Sequence, residues 1–360
     1  MDKLVPAMEE SLIGALRMIA PGTVLREAIE NIVHSRHGAL LVFADEEQIA
    51  PLISGGINID ESVRPMILYE LTKLDGAIIL DPDGTHIMHA NVQLMPDARI
   101  DSQETGTRHR TGERVAKQLG VLAVSISAAR DVVTVYVGGV RYIMDPIRVI
   151  LSKADQALLT LERFRTRLNQ VSGALSMLEF RDAVTLYDVT SVLQRTEMVL
   201  TLAHLIERYV IELGTEGRLV QMQMEELLTN VREDRAAVLS DYLLDYTPAR
   251  SEAMLAQLAS LPAEDLISMD YLAAILGYPP DANVLETHVS PRGCRLLRKI
   301  PRLSVEAIQN LTARFGTLQA IMEAPLEELA AVDKVGPVRA REIEEGLTRV
   351  REVDLPERFQ

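Results

Sequence analysis

A change of pattern near Asp145 and Pro146 divides this sequence into parts that must fold differently. Twelve of the 20 glycines precede residue 150, among short apolar runs separated by turn residues, a pattern typical of strands that alternate with helices. Only four glycines lie in 151–290, where apolar residues recur at helical spacing. The pattern therefore predicts an α/β region followed by an all-helical one.

The fold class expected from this pattern is a multi-domain protein with three parts. Residues 1–146 should form an α/β domain with a mixed β-sheet flanked by helices, since Gly138-Gly139 is a strong signal for a tight hairpin turn. Residues 147–288 should form an all-α middle domain, and residues 289–360 an all-α C-terminal domain. The middle domain is either a spine that sets the distance between the ends or an ordinary helical bundle with solvated charges, and the two interpretations are compatible.

Two hydroxyl residues are expected to cap helices in the first domain, because a side-chain oxygen can accept a hydrogen bond from a free N–H group in the first turn. Thr23 should cap a helix that runs from Val24 to about His34. Ser62 should cap a second helix, which leads into an apolar run that is expected to be a strand.

The composition excludes several classes of protein. The single cysteine, Cys294, rules out an internal disulfide and a cysteine-rich zinc site, and it fits a reducing cytoplasm. No apolar run approaches the ~20 residues of a membrane span, so no membrane association is expected. The net charge of −15 argues against nucleic-acid binding over the whole surface, yet residues 291–360 carry 12 basic and 11 acidic side chains. A nucleic-acid site is therefore expected near the C-terminus.

The tripeptide Asp75-Gly76-Ala77 opens an apolar run that turns back at Asp81-Pro82-Asp83-Gly84, which predicts a β-hairpin. A lone Asp here would most often cap the hairpin, but the small residues beside Asp75 let a ligand approach the backbone closely. A carboxylate in such a place can bind a metal ion or take a proton from a hydroxyl.

A second motif opens a predicted helix that ends at Leu119, and it consists of Thr107, Arg108, His109, Arg110 and Thr111. The free N–H groups and the positive dipole end of a helix start favour anions, and forked guanidinium groups match phosphate oxygens. A carboxylate together with this basic helix start indicates phosphoryl or nucleotidyl transfer. The chain has neither a P-loop motif nor a dinucleotide-binding glycine motif, which counts against a P-loop ATPase or a dehydrogenase.

The C-terminal domain carries a basic run and two hairpin-like segments. Residues 291–302 contain five basic side chains and no acidic one. Residues 332–343, the second hairpin, resemble the turn of helix-hairpin-helix modules, in which backbone N–H groups point at a DNA phosphate. It keeps Gly336 but has Lys334 in place of the usual first glycine, and residues 299–304, the first hairpin, are a weaker copy. The expected DNA-binding residues are Arg298, Lys299, Arg302, Lys334, Gly336, Val338 and Arg339. A small helical tail with solvated charges is the less favoured alternative.

In this order, Asp75-Gly76-Ala77, Arg108-His109-Arg110 and the C-terminal hairpins resemble the DNA integrity scanning diadenylate cyclase family along essentially the whole chain. The resemblance implies an enzyme that condenses two ATP into cyclic di-AMP and releases two pyrophosphates, with Mg²⁺ or Mn²⁺ as cofactor. It also implies a homo-oligomer, an octamer in this family, in the cytoplasm and associated with the nucleoid. The expected partner is branched or damaged double-stranded DNA, whose binding is expected to lower synthesis.

The resemblance also implies roles for individual residues. The catalytic residues would be Asp75, Arg108, His109 and Arg110, with Asp75 and His109 as candidate metal ligands. The residues expected to contact the nucleotide are Gly76, Ala77, Leu94, Thr107, Arg108, His109, Arg110, Thr111 and Ser127. His109 keeps three interpretations, since it could bind the metal, contact a phosphate or only pack against the fold.

Two other functions are compatible with the sequence. One is a DNA-branch-binding repair factor whose N-terminal domain senses a nucleotide without turning it over. The other is a structural scaffold held together by the helical middle. Incubation with ATP and Mn²⁺ followed by chromatography of the nucleotides separates both from a cyclase.

Overall fold

The computed structural model of the chain describes residues 4–128, 131–262 and 268–353. The chain divides into two compact units, and each consists of two segments. The first unit comprises 1–156 and 206–222, and the second comprises 157–205 and 223–360. Each unit combines residues from both sides of a predicted domain boundary, so the boundaries at 146 and 288 stay predictions.

Eight strands form one sheet in the first unit, and they are β1 (Ala39–Phe43), β2 (Ile53–Ser54), β3 (Ile57–Ser62), β4 (Ala77–Leu80), β5 (His86–Leu94), β6 (Leu122–Ser127), β7 (Val132–Val137) and β8 (Val140–Ile143). Their order is β2-β5-β4-β1-β6-β7-β8, and β3 also pairs with β5. Strands β1 and β4 are parallel, and the other pairings among the described strands are antiparallel. The expected mixed sheet is confirmed.

Helices cover both faces of this sheet, and those before residue 120 are α1 (Leu4–Met18), α2 (Val24–His34), α3 (Glu46–Ile49), α4 (Pro65–Leu71) and α5 (Thr107–Leu119). Successive side chains of a strand point to opposite faces, so neighbours on β1 enter different cores. Leu41 packs in one buried cluster with Ile29 of α2, whereas Leu40 packs in another with Val115 of α5. Helix α5 therefore lies on the second face.

The two expected helix caps have different outcomes. Thr23 is confirmed, because its Oγ1 accepts a hydrogen bond from the backbone N–H of Arg26 at 3.1 Å. The Ser62 cap is wrong, because Ser62 is the last residue of β3 and pairs with His86 of β5. Helix α4 begins three residues later, at Pro65.

The remaining chain is helical, and its helices are α6 (Ile147–Phe180), α7 (Leu186–Leu213), α8 (Arg218–Leu227), α9 (Val231–Tyr242), α10 (Pro248–Ala259), α11 (Met269–Ile275), α12 (Cys294–Leu297), α13 (Val305–Phe315), α14 (Leu318–Glu323), α15 (Leu326–Ala330) and α16 (Gly336–Val353). The C-terminal helices enclose a core of their own, in which Leu297, Leu311 and Ile343 are fully buried. The fold class predicted from the sequence is confirmed. Among the helices that the structure describes, none is long and apolar enough to cross a membrane.

Candidate nucleotide site and DNA-binding region

The backbone at the first motif is drawn tightly against the neighbouring strand. Gly76 has φ +94°, in the region that favours glycine, and Ala77 pairs with Val92 of β5. A Cβ atom on Gly76 would lie 2.6 Å from the carbonyl oxygen of Val92 and 2.9 Å from its nitrogen. Because both are backbone atoms that cannot swing away, position 76 requires glycine, and Asp75 lies two residues before β4.

The second motif forms the first turn of α5. Gly106 occupies the cap position, and it has no side chain that could satisfy the first N–H groups of the helix. These groups and the positive dipole end therefore remain available for an anion. Gly112 lets the helix approach the sheet, because a Cβ atom there would lie 2.9 Å from Cδ1 of Leu40 on β1.

A cavity of about 360 Å³, which we call the site cavity, joins the two motifs. Seven residues predicted from the sequence line it, namely Asp75, Gly76, Ala77, Leu94, Thr107, Arg108 and Thr111. Its other lining residues are Leu40, Val92 and Gln93, which the sequence did not single out. The structure thus brings together most of the residues expected at the nucleotide, and their individual roles stay predictions.

Gly38, which the sequence analysis did not single out, leaves room for the side chain of Arg108. A Cβ atom on Gly38 would overlap Nη1 of Arg108 and would lie 3.3 Å from the carbonyl oxygen of Ile126. Gly38 therefore leaves the space in which the guanidinium group rests. In the sequence, the feature that could have pointed to Gly38 is its position directly before the apolar run that forms the buried strand β1.

Three predicted residues do not line the site cavity. His109 contacts Tyr136, with Nδ1 of the histidine 3.1 Å from the tyrosine Oη. Arg110 donates from Nε to the carbonyl oxygen of Glu104 at 3.1 Å. Ser127 ends β6 and is paired with β7. The proposed contacts of these three residues with nucleotide or metal stay predictions.

A charged network surrounds the contact between His109 and Tyr136. Oε1 of Glu104 accepts hydrogen bonds from Oη of Tyr136 at 2.9 Å and from Nε of Arg141 at 2.5 Å. Burial raises the pKa of Glu104, but the bonds from Arg141 and Tyr136 outweigh it and hold this pKa below its usual value. Burial and the bond to Glu104 raise the pKa of Tyr136. Tyr136 therefore donates its proton to Glu104, and its oxygen accepts from Nδ1–H of His109.

The donor atoms at the site cavity fit a metal ion that arrives with a substrate. Asp75 is the one carboxylate among the residues that line it. Within the described ranges, no group of three or more histidine, cysteine or acidic side chains could hold a metal ion by itself. Mg²⁺ is commonly bound by one or two carboxylates together with substrate phosphates. Asp75 would therefore be the residue that holds a divalent metal ion together with substrate phosphates, and this role stays a prediction.

Both C-terminal hairpins contain a residue in the left-handed conformation. Arg302 in the first hairpin has φ +65°, and Lys334 and Gly336 in the second have φ +67° and +65°. Lys334 thus adopts the backbone conformation for which glycine is the usual residue, at a cost of about 1–2 kcal/mol. Ser304 then caps α13 by accepting a hydrogen bond from the N–H of Ala307 at 3.2 Å.

The five basic residues of 291–302 do not form one surface. Arg292 donates to the carbonyl oxygens of residues 240, 241 and 243, at the end of α9. Arg295 is buried against Glu179. The exposed members are those expected to bind DNA, Arg298, Lys299 and Arg302. The side chains of Lys334, Val338 and Arg339 are also exposed, and their contacts with DNA stay predictions.

The fold and the two regions define a nucleotide-binding enzyme that carries helix-hairpin-helix elements on the same chain. Family models match the DisA bacterial checkpoint controller nucleotide-binding region at residues 26–141, its linker region at 144–285 and a helix-hairpin-helix motif at 299–352.

Full-length relatives agree with these matches. The DNA integrity scanning protein DisA of Carboxydothermus hydrogenoformans is 47% identical over 96% of this chain and 98% of its own length. DisA of Acetivibrio thermocellus is 48% identical over 96% of this chain and 95% of its own length. The chain belongs to the DNA integrity scanning protein family. It is a diadenylate cyclase, hence a nucleotidyltransferase, with a DNA-binding C-terminal region, and the family predicted from its motifs is confirmed.

Proposed function

We propose that this protein condenses two ATP into cyclic di-AMP and releases two pyrophosphates. Each 3′-oxygen attacks the α-phosphate of the facing ATP, and pyrophosphate leaves with the electrons of the broken P–O bond. The observation that carries this proposal is the site cavity, in which the carboxylate of Asp75 and the arginine of an uncapped helix start share about 360 Å³. A ribose hydroxyl and a triphosphate need these two chemistries side by side.

Five residues of the two motifs are assigned roles in this reaction. Asp75 supports the attacking 3′-hydroxyl, either as the base that takes up its proton or as the residue that would hold a metal ion beside it. Arg108 and Arg110 hold phosphate oxygens, and Thr107 and Thr111 add hydroxyl donors at the helix start. Bound Mg²⁺ or Mn²⁺ supplies charge neutralisation at the triphosphate and lowers the pKa of the hydroxyl.

Cyclic di-AMP is two-fold symmetric, and this symmetry points to two facing subunits. One ATP per subunit across an isologous interface is the simplest arrangement that closes the ring. We therefore propose a homo-oligomer that contains such pairs, with the octamer of the family as the expected assembly.

The C-terminal region binds branched or damaged double-stranded DNA in this proposal, and the protein works in the cytoplasm at the nucleoid. The exposed side chains of Arg298, Lys299, Arg302, Lys334 and Arg339 contact phosphates, and the turn at Gly336 offers backbone N–H groups. DNA lowers synthesis because it binds the active and inactive states with different affinities.

The decisive experiment is incubation of the purified protein with ATP and Mn²⁺ or Mg²⁺, followed by chromatography of the nucleotides. Wild-type protein should form cyclic di-AMP and two pyrophosphates per product. Asp75→Asn should bind ATP but form little product, whereas Asp83→Asn, a matched change in the exposed hairpin turn, should be fully active. Absence of cyclic product from folded wild-type protein with either metal would refute the proposal.

Mixed oligomers test the facing arrangement. A pair with one Asp75→Asn subunit can form the first bond but cannot close the ring. Randomly assembled mixtures should therefore yield cyclic product in proportion to the square of the wild-type fraction, together with a linear dinucleotide. A strictly proportional decline without linear product would mean that one subunit completes the reaction alone.

The DNA proposal is tested with a four-way junction. Lys334→Glu should weaken junction binding strongly, whereas Arg349→Glu, the same charge change on the exposed face of α16, should have a small effect. Saturating junction should lower the synthesis rate of the wild-type protein. An unchanged rate would remove the regulatory part of the proposal and leave the cyclase intact.

A further inference from the structure

A second cavity, of about 430 Å³, opens beside the first hairpin in the C-terminal unit. We call it the Tyr246 cavity. Its volume lies in the range of small-molecule sites. Its lining includes an aromatic ring, two guanidinium groups, aliphatic side chains and an amide, supplied by Tyr246, Arg292, Arg298, Val305, Ile308 and Gln309. The cyclase reaction does not use this cavity, and Arg298 is the one of these six residues that is also expected to contact a DNA phosphate.

The aromatic wall of the cavity is held in place before any ligand binds. The guanidinium carbon of Arg292 lies 5.7 Å from the centroid of the Tyr246 ring. Oγ of Ser240 lies 3.4 Å from Oη of Tyr246, within hydrogen-bond distance. Arg292 is itself anchored by three backbone carbonyls at the end of α9. Arg292 lies over one face of the ring, and these contacts order the ring before a planar group stacks on the face that remains.

The mouth of the cavity adjoins the residues expected to bind DNA. Val305 is 58% exposed and begins α13 directly after the first hairpin. Arg298 is exposed, lines the cavity and lies four residues before Arg302, the left-handed residue of that hairpin. A strand whose phosphate lies at the first hairpin would thus place its neighbouring nucleotide at an apolar, aromatic opening flanked by a cation.

We propose that the Tyr246 cavity takes one unpaired nucleotide of a DNA strand. The base stacks on Tyr246 and packs against Val305 and Ile308, the amide of Gln309 bonds to the base edge, and Arg298 holds the adjoining phosphate. Stacking on an aromatic side chain suits any base, because every base has a π-face. This inference rests on the proposed DNA binding by the hairpins, and it adds a reason for preferring branched or damaged DNA, since a paired base cannot enter.

A fluorescent base tests this inference in the full-length protein. The probe is a duplex with a single-stranded bulge that contains 2-aminopurine, compared with the same duplex fully paired. Wild-type protein should bind the bulged duplex more tightly and quench its fluorescence. Tyr246→Leu should abolish the quench and weaken bulge binding by about 5- to 100-fold, without changing affinity for the paired duplex. Tyr271→Leu, which removes an exposed tyrosine outside the cavity, should behave as wild type.

A second variant guards against a folding defect. Ala313 lies on the exposed side of α13 and lines the cavity, so Ala313→Trp should fill the space and reproduce the loss at low cost in stability. Equal weakening of bulged and paired duplexes by both variants would overturn the inference. Stronger quenching of free 2-aminopurine nucleotide than of the bulge would assign the cavity to a soluble nucleotide and overturn the DNA assignment. Failure of wild-type protein to bind either duplex would instead refute the underlying DNA proposal.

Discussion

Helices α5 and α12 both begin beside arginine residues, but they differ in whether a side chain accepts hydrogen bonds from their first N–H groups. At α5, Gly106 leaves these groups without a side-chain acceptor from the cap position. At α12, the buried carboxylate of Asp241 accepts from the N–H groups of Gly293, Cys294 and Arg295 at 2.8, 2.6 and 2.9 Å. The first helix start is open to a ligand, whereas the second is satisfied by the protein itself.

The arginines at the two helix starts differ in the same way, because one lines a cavity and the other is paired inside the protein. Arg108 lines the site cavity. Arg295 is buried and forms an ion pair with Glu179 at 2.5 Å, and Tyr242 donates to the same carboxylate at 2.7 Å. Burial disfavours the charge on Arg295, but Glu179 outweighs it and raises the pKa of this arginine. A basic run therefore marks a ligand site only where no carboxylate from elsewhere in the fold reaches it.

The largest expected effect is a loss of stability when the buried cation of Arg295, at the start of α12, is removed. Arg295→Met leaves the buried carboxyl group of Glu179 without its ion-pair partner, so the free energy of unfolding should fall by about 3–5 kcal/mol. Chemical denaturation of the full-length protein measures this loss. The double variant Arg295→Met, Glu179→Leu should recover much of it, because two apolar side chains replace the ion pair. A single variant as stable as wild type would show that the pair is not structural.

Removing the corresponding arginine at the open helix start should change activity instead of stability. Arg108→Met should lower kcat/KM for cyclic di-AMP synthesis by about 100-fold or more, since a cation at the phosphates is lost from the transition state. Its unfolding midpoint should stay at the wild-type value. Arg99→Met, which removes a fully exposed arginine, is the matched control and should be active. A stability loss as large as that of Arg295→Met would erase the distinction between the two helix starts.

A smaller effect is expected from crowding Arg108 without removing it. Gly38→Ala adds a methyl group where Nη1 of Arg108 rests, so the guanidinium group must move. We expect a loss of about tenfold in kcat/KM, in line with small misplacements of catalytic groups. Steady-state kinetics of the purified variant measures this loss, with Gly14→Ala as the control, because Gly14 has neither a positive φ nor a neighbouring atom within 4 Å of an added Cβ. Full activity would show that Arg108 binds phosphate from another position.

The smallest expected effect is a pH dependence at the closed helix start. Burial and the negative charge of Glu179 raise the pKa of Asp241 to about 7. The folded protein therefore binds a proton more tightly than the unfolded chain, and this contribution to stability is lost as pH rises through 7. Between pH 6 and pH 8 the loss should be about 1 kcal/mol.

Thermal unfolding and hydrogen exchange of the amides at residues 293–295 measure this dependence. Asp241→Asn cannot titrate, so it should flatten the pH profile in this window while the remaining groups titrate as before. A profile that keeps its slope in the variant would assign the pH dependence to other residues.

Features that depend on neighbouring residues follow from the sequence alone. Helix α5 has the predicted bounds, since its good helix formers lie between Gly106 and Gly120, which has φ +72°. The hairpin after Asp75 forms as expected, and Oδ1 of Asp81 accepts from the N–H of Thr85 at 2.7 Å inside the turn. The motifs of the site were recognisable for the same reason, because each is a short local pattern at the end of a strand or the start of a helix.

Only the tertiary structure decided which residues meet across the chain. Strand β3 was missed because its residues are mostly exposed and do not alternate, so it is set by pairing with β5, and Ser62 belongs to it. The position of the Arg108 guanidinium group depends on the space beside Gly38. The burial of Arg295 depends on Glu179, which lies 116 residues earlier in the chain. Local patterns report side-chain type and spacing, whereas such contacts depend on the long-range packing that brings distant segments together. The sequence by itself therefore determined the two motifs and the elements that carry them, and the packing decided which arginine remains for a ligand.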